Sequence, residues 1–248
     1  MTFFIIGMGE IGKFLYKKLK KKYNCGYFKS NKKKTNFKVE ELIKKTIDYD
    51  IIIYSAGIAT FKKCQNYKKL SNKINYEIPK KIIEKINNKK IFIYFSSTNT
   101  RCKKNLNNAY TIQKFKFEKD TLQTKKKIIV LRIGKLVNSL GVLSKWKKMV
   151  IRNKVIPIYH DLYFSPVTKI GIFNILLKII KSKKFGIFNY SNIHQISYLE
   201  LFKKKFSNYK NLKIISSKKF NKFHYQNMAS QKDDKYFEKI KFPEIKDL

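Results

Sequence analysis

The chain has 248 residues, 43% of them hydrophobic, which is enough for one large domain or for a core with a smaller lobe. Its 57 basic and 16 acidic residues give a net charge of +41. All but three of the basic residues are lysines, and they are spread along a chain rich in Asn, Ile, Phe and Tyr. This pattern indicates compositional bias and a lysine-coated surface. It argues against specific nucleic-acid binding, which stays open as an alternative.

Cysteine spacing and hydropathy exclude further classes of protein. Cys25, Cys64 and Cys102 have no Cys-x-x-Cys spacing, so we expect neither a disulfide framework nor a metal site. No run of eighteen apolar residues is present, so we expect no membrane span, and we see no signal peptide. The sequence therefore predicts a cytoplasmic protein.

The first half of the chain alternates between strands and helices. Short apolar runs rich in β-branched residues predict strands at Thr2–Ile6, Asn24–Phe28, Asp50–Tyr54, Lys90–Phe95 and Ile128–Arg132. Apolar residues at helical spacing predict helices after Gly12 and at Val39–Lys45, Ile74–Ile86 and Asn108–Leu122. Continuous apolar strands that alternate with helices are typical of a parallel sheet covered on both faces.

The pattern is looser after residue 135. Helices are predicted at Ser144–Ile151, Thr168–Ile180 and Ser197–Phe206. Strands are predicted at Val155–Tyr159, Gly186–Tyr190 and Leu212–Ile215. Residues 161–166 are predicted to form a loop, and the last thirty residues are polar and irregular.

The segment GMGEIG, Gly7–Gly12, lies between the first predicted strand and a helix. In that context Gly7 permits a tight turn, Gly9 lets the backbone approach a pyrophosphate, and Gly12 lets the helix pack close to the strand. The helix N-terminus, with Glu10 and Ile11, supplies N–H groups and partial positive charge for phosphates. The sequence therefore predicts a dinucleotide-binding α/β fold of the Rossmann type.

The end of the second strand bears on the choice of cofactor. Proteins that bind NAD usually place an acidic residue there to hold the ribose 2′-hydroxyl. Phe28–Lys34 contains no acid, and Ser30 and the lysines suit a 2′-phosphate. NADP(H) is therefore favoured over NAD(H), which stays possible.

Tyr110 and Lys114 lie four residues apart on a predicted helix and so share a face. An ammonium group near a tyrosine favours the phenolate and lowers the tyrosine pKa, which suits proton transfer to a carbonyl or alcohol oxygen. Tyr16, Tyr76 and Tyr209 also have a lysine at this spacing, so position selects Tyr110. It follows a strand that ends in the hydroxyl cluster Ser96–Thr98, and ligands of open parallel sheets lie outside the carboxyl ends of the strands.

Together these motifs resemble the extended short-chain dehydrogenases/reductases, which are NAD(P)-dependent sugar-nucleotide epimerases, dehydratases and reductases. The resemblance is carried by Gly7–Gly12, Tyr54–Gly57, Asn75, Phe95–Thr98, the Tyr110/Lys114 pair and Leu131–Asn138. It assigns Ser55, Ala56 and Gly57 to cofactor binding. It also implies a Rossmann-type core over residues 1–135 and a substrate-binding lobe over 136–248 that is interleaved with the end of the core.

The later part of the chain is most similar to dTDP-4-dehydrorhamnose reductases and related sugar-nucleotide reductases. Ile156–Val167, Gly186–Ser191 and the polar tail carry this similarity. Two departures concern the substrate. Asn99 and Thr100 stand where the reductases usually have an Asp-Tyr step, and the chain is shorter than most of the family.

The resemblance implies hydride transfer between a nicotinamide and a nucleotide-linked sugar. Tyr110 would be the general acid/base. Lys114 would hold the nicotinamide ribose, and Thr98 would bind the sugar oxygen, with Ser97 as the fallback. Arg152 is a candidate for the substrate diphosphate on charge alone. An epimerase of the same family and a dinucleotide-binding regulator stay open. Family members are often dimers, so a homodimer is also an open expectation.

Overall fold

The protein is described by a computed structural model that covers residues 1–30, 39–101, 107–136, 141–192 and 195–216. Four predicted features lie outside these residues: the lysines at 32–34, Cys102, Asn138 and the polar tail beyond residue 216. The strands are β1 (Phe3–Ile6), β2 (Cys25–Phe28), β3 (Ile51–Tyr54), β4 (Ile91–Ser97), β5 (Lys127–Ile133), β6 (Lys135–Leu136), β7 (Ile156–Tyr159), β8 (Tyr163–Phe164), β9 (Pro166–Val167), β10 (Gly186–Tyr190), β11 (Ile196–Ser197) and β12 (Leu212–Ile215). The α-helices are α1 (Glu10–Leu19), α2 (Val39–Lys44), α3 (Phe61–Asn66), α4 (Lys68–Asn72), α5 (Ile78–Lys85), α6 (Ala109–Leu122), α7 (Val142–Ile151), α8 (Lys169–Ser182) and α9 (Tyr198–Lys205).

Six parallel strands form the central sheet, in the order β10-β5-β4-β3-β1-β2. This arrangement confirms the predicted α/β fold with a doubly wound parallel sheet. The five predicted strands of the first half all belong to it, and β10 adds an edge strand from the second half. All six strands run in the same direction, so their carboxyl ends meet at one edge of the sheet.

The sheet has an apolar core on each face. Phe3 and Ile5 of β1 pack into one core cluster, while their neighbours Phe4 and Ile6 pack into the other. Successive side chains of a strand point to opposite faces, so a strand covered on both sides must be apolar at every position. Each such large side chain contributes about 1.5–3 kcal/mol when fully buried.

A third cluster forms a smaller lobe around Trp146 of α7. It packs β7, β8, β11 and α9 through Ile156, Phe164, Ile196 and Phe202. By contrast α8, which lies between these elements in the chain, packs into the first core cluster beside α1. Residues beyond 135 therefore contribute both to the central sheet layer and to the lobe.

The predicted helix Ile74–Ile86 is interrupted, because Lys73–Glu77 form a π-helical segment before α5. The N–H of Ile78 donates to the carbonyl of Lys73, and Pro79 has no N–H to donate. The carbonyls of Ile74 and Asn75 are thus available to accept from the buried hydroxyls of Tyr54 (2.7 Å) and Tyr94. The irregular turn satisfies two polar groups that the central strands bury.

The structure also corrects the predicted loop at residues 161–166. It contains β8, which pairs antiparallel with β11, and the start of β9, which pairs parallel with β6. Strands of two residues are too short to show a periodic pattern in the sequence. Helices α3 and α4 were not predicted either, because Phe61–Asn72 is dominated by polar residues. None of the helices in the described ranges combines the length and apolar character needed to cross a bilayer.

Candidate functional site

The glycine turn is locked against the loop that follows β3. Gly7 has a positive φ of +98°, which favours glycine, and a Cβ there would overlap Ala56. A Cβ on Gly12 would overlap the carbonyl oxygen of Gly7 and lie 2.5 Å from Ser55 Oγ. Ser55 Oγ itself donates to the Gly7 carbonyl at 2.6 Å. Close packing thus requires two of the three glycines, and it brings Ser55 and Ala56 to the turn.

Gly9 differs from the other two glycines because a Cβ placed on it would have no atom within 4 Å. Packing within the protein therefore does not require this glycine. It is the N-cap of α1, so no side chain caps the first turn from this position. The open space next to Gly9 lies beside the positive end of the helix dipole of α1. Such a space fits the diphosphate of a dinucleotide.

The neighbours of the turn occupy different environments. Glu10 opens α1 and lies 3.4 Å from Lys169 Nζ, while Ile11 packs against the core. Ser30 is exposed just beyond the carboxyl end of β2, at the same edge of the sheet. No clear pattern in the sequence indicated the Lys169–Glu10 ion pair.

Lys114 is buried on α6, and its ammonium group reaches the loop that supports the glycine turn. Its Nζ donates to the carbonyl of Phe95 at 2.8 Å and lies 4.2 Å from the centre of the Tyr94 ring. A Cβ on Gly57 would lie 3.9 Å from the same atom. Burial lowers the pKa of Lys114 to about 7, against the opposing effects of Cys64 and Glu118.

Tyr110 lies at the start of α6, half-buried, with its ring edge-on to Phe61 at 5.5 Å between centroids. Burial raises its pKa to about 12, and the hydroxyl of Ser97 opposes that rise. The shift is opposite in direction to the lowering expected from a neighbouring ammonium. Desolvation is the largest cause of the rise, and the nearby Cys64 and Glu118 raise the pKa further.

Of the two candidate hydroxyls, the one that lowers the pKa of Tyr110 belongs to Ser97, the last residue of β4. Thr98 is buried as the first residue of a 3-10 turn, Thr98–Arg101. Both lie at the carboxyl end of β4, which packs against α6 together with the 3-10 turn. Arg152 is exposed at the C-terminus of α7, and the described contacts do not join it to Tyr110 or Lys114.

Asn75 is fully buried, and its amide ties the loop after Gly57 to α6. Its Oδ1 accepts from the N–H of Ile58 at 3.0 Å, and its Nδ2 donates to Ile58 O and to Gln113 Oε1. Gln113 in turn donates to Ser71 Oγ at 2.8 Å. The resemblance indicated Asn75. Gln113 and Ser71, however, carry no motif, and only the packing of α4 on α6 reveals them.

On the other side of Lys114, the buried carboxylate of Glu118 joins three elements. Its Oε2 accepts from Arg132 of β5 through Nη2 at 2.6 Å and Nε at 3.1 Å. Its Oε1 accepts from Ser96 Oγ and, at 2.9 Å, from Thr100 Oγ1. The sequence prediction missed this cluster, although Glu118 lies one helical turn beyond Lys114.

No protein-family model matches the chain, and no curated protein sequence matches it. Solved structures do. A dTDP-4-dehydrorhamnose reductase from Bacillus anthracis, in complex with NADP, is 19% identical with a TM-score of 0.79 over 93% of this chain and 91% of that one. A UDP-N-acetylglucosamine 4-epimerase from Methanobrevibacter ruminantium is 16% identical with a TM-score of 0.79, over 99% and 94%. A dTDP-4-dehydrorhamnose reductase from Yersinia enterocolitica is 16% identical with a TM-score of 0.78, over 98% and 95%. At these identities the likeness shows a shared fold, over nearly the whole chain.

Proposed function

We propose that the chain is an NAD(P)-dependent oxidoreductase that reduces the 4-keto group of a nucleotide-linked sugar. One observation carries the proposal: Lys114, which shares α6 with Tyr110, extends its buried ammonium group to the loop that supports the glycine turn. A dinucleotide-binding turn and an acid–base tyrosine thereby face the same edge of the sheet. This is the arrangement that hydride transfer to a carbonyl requires.

The residues present fit NADP(H). Gly9 leaves room for the diphosphate, and Lys114 points towards Gly57, where a nicotinamide ribose would lie between the two motifs. The missing acid after β2 and the exposed Ser30 favour a 2′-phosphate, so NADP(H) is proposed ahead of NAD(H). The fold neighbour from Bacillus anthracis was solved with NADP, which supports the same choice. When bound, the cofactor supplies the hydride.

The protonation state of Tyr110 fits the direction of reduction. With a pKa of about 12, its hydroxyl carries a proton at neutral pH and donates it to the sugar oxygen as the neighbouring carbon gains the hydride. The hydroxyl of Ser97 orients the phenol. Lys114 stabilises the phenolate that remains and, with a pKa of about 7, accepts and releases protons near neutral pH.

The hydroxyl at the end of β4 has a second task, which is to hold the sugar oxygen beside Tyr110. The resemblance favours Thr98, and the effect of Ser97 on the pKa of Tyr110 favours Ser97. Arg152 is a weaker candidate for the substrate diphosphate. A cytoplasmic location and a homodimer stay predictions.

A sugar-nucleotide epimerase is the second candidate, because the Methanobrevibacter ruminantium epimerase matches the fold with the same TM-score as the Bacillus anthracis reductase. An epimerase uses its cofactor without net consumption. A reductase oxidises one cofactor for each substrate reduced. Cofactor stoichiometry therefore separates the two.

The test is a titration of the purified chain with NADPH and NADH, followed by assays with a panel of nucleotide-linked 4-keto sugars. Tyr110→Phe should lower kcat by about 10²- to 10⁴-fold while cofactor affinity stays near that of the wild type. Tyr76→Phe is the matched control, since Tyr76 also has a lysine four residues on but its hydroxyl donates to Asp120 at 2.6 Å.

Failure to bind either cofactor would contradict the proposal. Cofactor binding without turnover, unchanged in Tyr110→Phe, would favour a dinucleotide-binding regulator. Sequence-dependent binding of DNA or RNA that persists in high salt would support the basic nucleic-acid-binding protein.

A further inference from the structure

Glu118 is a buried carboxylate with a complete set of hydrogen bonds. Its side chain is 1% exposed, and it accepts four hydrogen bonds from Ser96, Thr100 and the guanidinium of Arg132. These donors come from β4, the 3-10 turn and β5, while Glu118 itself belongs to α6. One side chain thus holds together every element that carries a proposed catalytic group at this end of the sheet.

The partners of Glu118 are direct neighbours of those groups. Ser96 precedes Ser97, and Thr100 follows Thr98 by two residues. Arg132 is the register partner of Ser96 in the adjacent strand. Tyr110, Lys114 and Glu118 lie at intervals of four on α6 and so form one stripe along the helix. A shift of the Glu118 carboxylate would therefore move the hydroxyl end of β4 relative to the tyrosine.

Stability alone is a weak reason to bury this ion pair. Desolvating two charges is expensive, and apolar side chains of the same volume often give an equally stable or more stable protein. What a bidentate arginine and two hydroxyl donors add is directional geometry. That geometry is useful at a site where hydride and proton must reach adjacent atoms.

We propose that Glu118, held by Arg132, is a positioning residue that sets the spacing between the Ser97–Thr98 hydroxyls and the Tyr110 hydroxyl. This inference rests on the proposed function. It assigns Glu118 no contact with substrate or cofactor. The residue acts through β4 and α6.

The charge of Glu118 has a second, measurable consequence. Three titratable groups surround Lys114, namely Cys64 of α3, Tyr94 of β4 and Glu118 of α6, and Tyr110 lies one helical turn before it on α6. Glu118 raises the pKa values of both Lys114 and Tyr110, although burial is the larger influence on each. Loss of the carboxylate charge should therefore lower both pKa values.

The decisive experiment compares Glu118→Gln with Asp120→Asn. Glu118→Gln keeps an acceptor for the hydroxyls but loses the charge that pairs with Arg132. Asp120 is the matched control, since it lies on the same helix and pairs with Lys80 at 3.0 Å on the partly exposed side. Both variants remove one carboxylate charge from α6, and only the first contacts the end of β4. We would measure kcat, KM, the pH profile under saturating NADPH, and the melting temperature.

We expect Glu118→Gln to lower kcat by about 10- to 100-fold, as small displacements of reacting groups do, with little change in the KM for NADPH. The alkaline limb of its pH profile should move to lower pH, because Lys114 loses its proton more readily. Asp120→Asn should leave both kcat and the profile as in the wild type. If Glu118→Gln lowers the melting temperature but keeps wild-type kcat and pH profile, Glu118 is structural and the inference is wrong.

A milder variant keeps the inference testable if Glu118→Gln does not fold. Thr100→Val removes a hydroxyl whose proton is shared between Glu118 Oε1 at 2.9 Å and the Ser97 carbonyl at 2.8 Å, and it leaves the ion pair with Arg132 in place. A severalfold fall in kcat at unchanged KM would support positioning, while wild-type kcat would overturn it. If the wild-type chain itself shows no cofactor binding or turnover, the proposed function fails, which is a different result from an active enzyme that tolerates these substitutions.

Discussion

The two halves of the candidate site are built by opposite means. Around β1 and α1, the site is shaped by side chains that are missing, since Gly7 and Gly12 pack backbone against backbone and Gly9 leaves open space. Around β4 and α6, it is shaped by polar side chains that find partners away from solvent: Glu118 pairs with Arg132, Lys114 donates to the carbonyl of Phe95, and Gln113 bonds to Asn75 and Ser71. The first half is steric, whereas the second depends on hydrogen bonds and an ion pair between polar side chains of different elements.

This difference predicts how each half fails. Substitutions in the glycine turn should destabilise the fold or weaken cofactor binding. Substitutions among the polar side chains around β4 and α6 should change pKa values and the alignment of the hydroxyl groups. Four substitutions test this difference, and they are given in order of decreasing expected effect.

Gly12→Ala should have the largest effect on stability. Its Cβ would overlap the Gly7 carbonyl, and backbone cannot yield as a flexible side chain does. We expect the free energy of unfolding to fall by about 3 kcal/mol, at the upper end of overpacking costs. Urea denaturation of Gly12→Ala beside Gly9→Ala would show this. Equal stability of the two variants would contradict the steric account.

Lys114→Met should change how stability depends on pH. Between about pH 7, where folded Lys114 titrates, and its ordinary value of 10.5, the unfolded chain holds a proton that the folded chain has released. Wild-type stability should therefore rise with pH across this range, by at most about 1.4 kcal/mol per pH unit from this group. The variant lacks this contribution, so the free energy of unfolding of the variant minus that of the wild type should fall as the pH rises. A difference that is constant with pH would show that Lys114 is not desolvated as described.

Gly9→Ala separates folding from binding. The added methyl has no protein atom within 4 Å, so the melting temperature should match that of the wild type. The same methyl lies where the diphosphate is proposed to approach the backbone, so the Kd for NADPH should rise by at least about 10-fold. Unchanged affinity, measured by fluorescence titration, would place the diphosphate elsewhere.

Asp120→Asn should have the smallest effect. Its partner Lys80 is 42% exposed, and ion pairs open to solvent contribute little. We expect the melting temperature to fall by less than about 4 °C. A larger loss would mean that the outer face of α6 matters as much as its buried stripe, and the contrast between charged groups on this helix would weaken.

The central sheet and the glycine turn could be predicted from the sequence, because both show in runs of consecutive residues. Strands covered on both faces must be apolar throughout, and a turn without room for Cβ atoms must be glycine, so both leave a mark in consecutive residues. The sequence also selected Tyr110 and Lys114 from several tyrosine–lysine pairs, because the order of elements places them after the hydroxyl strand.

Only the tertiary structure decided the chemistry around that pair. The direction of the Tyr110 pKa shift depends on desolvation, which no local pattern records. That Ser97 is the hydroxyl that lowers the pKa of Tyr110 depends on how β4 ends against α6. Glu118 and Arg132 are fourteen residues apart, and Asn75 and Gln113 thirty-eight. Such pairs have no periodicity to reveal them, because packing of helices on the sheet, rather than sequence spacing, brings them together.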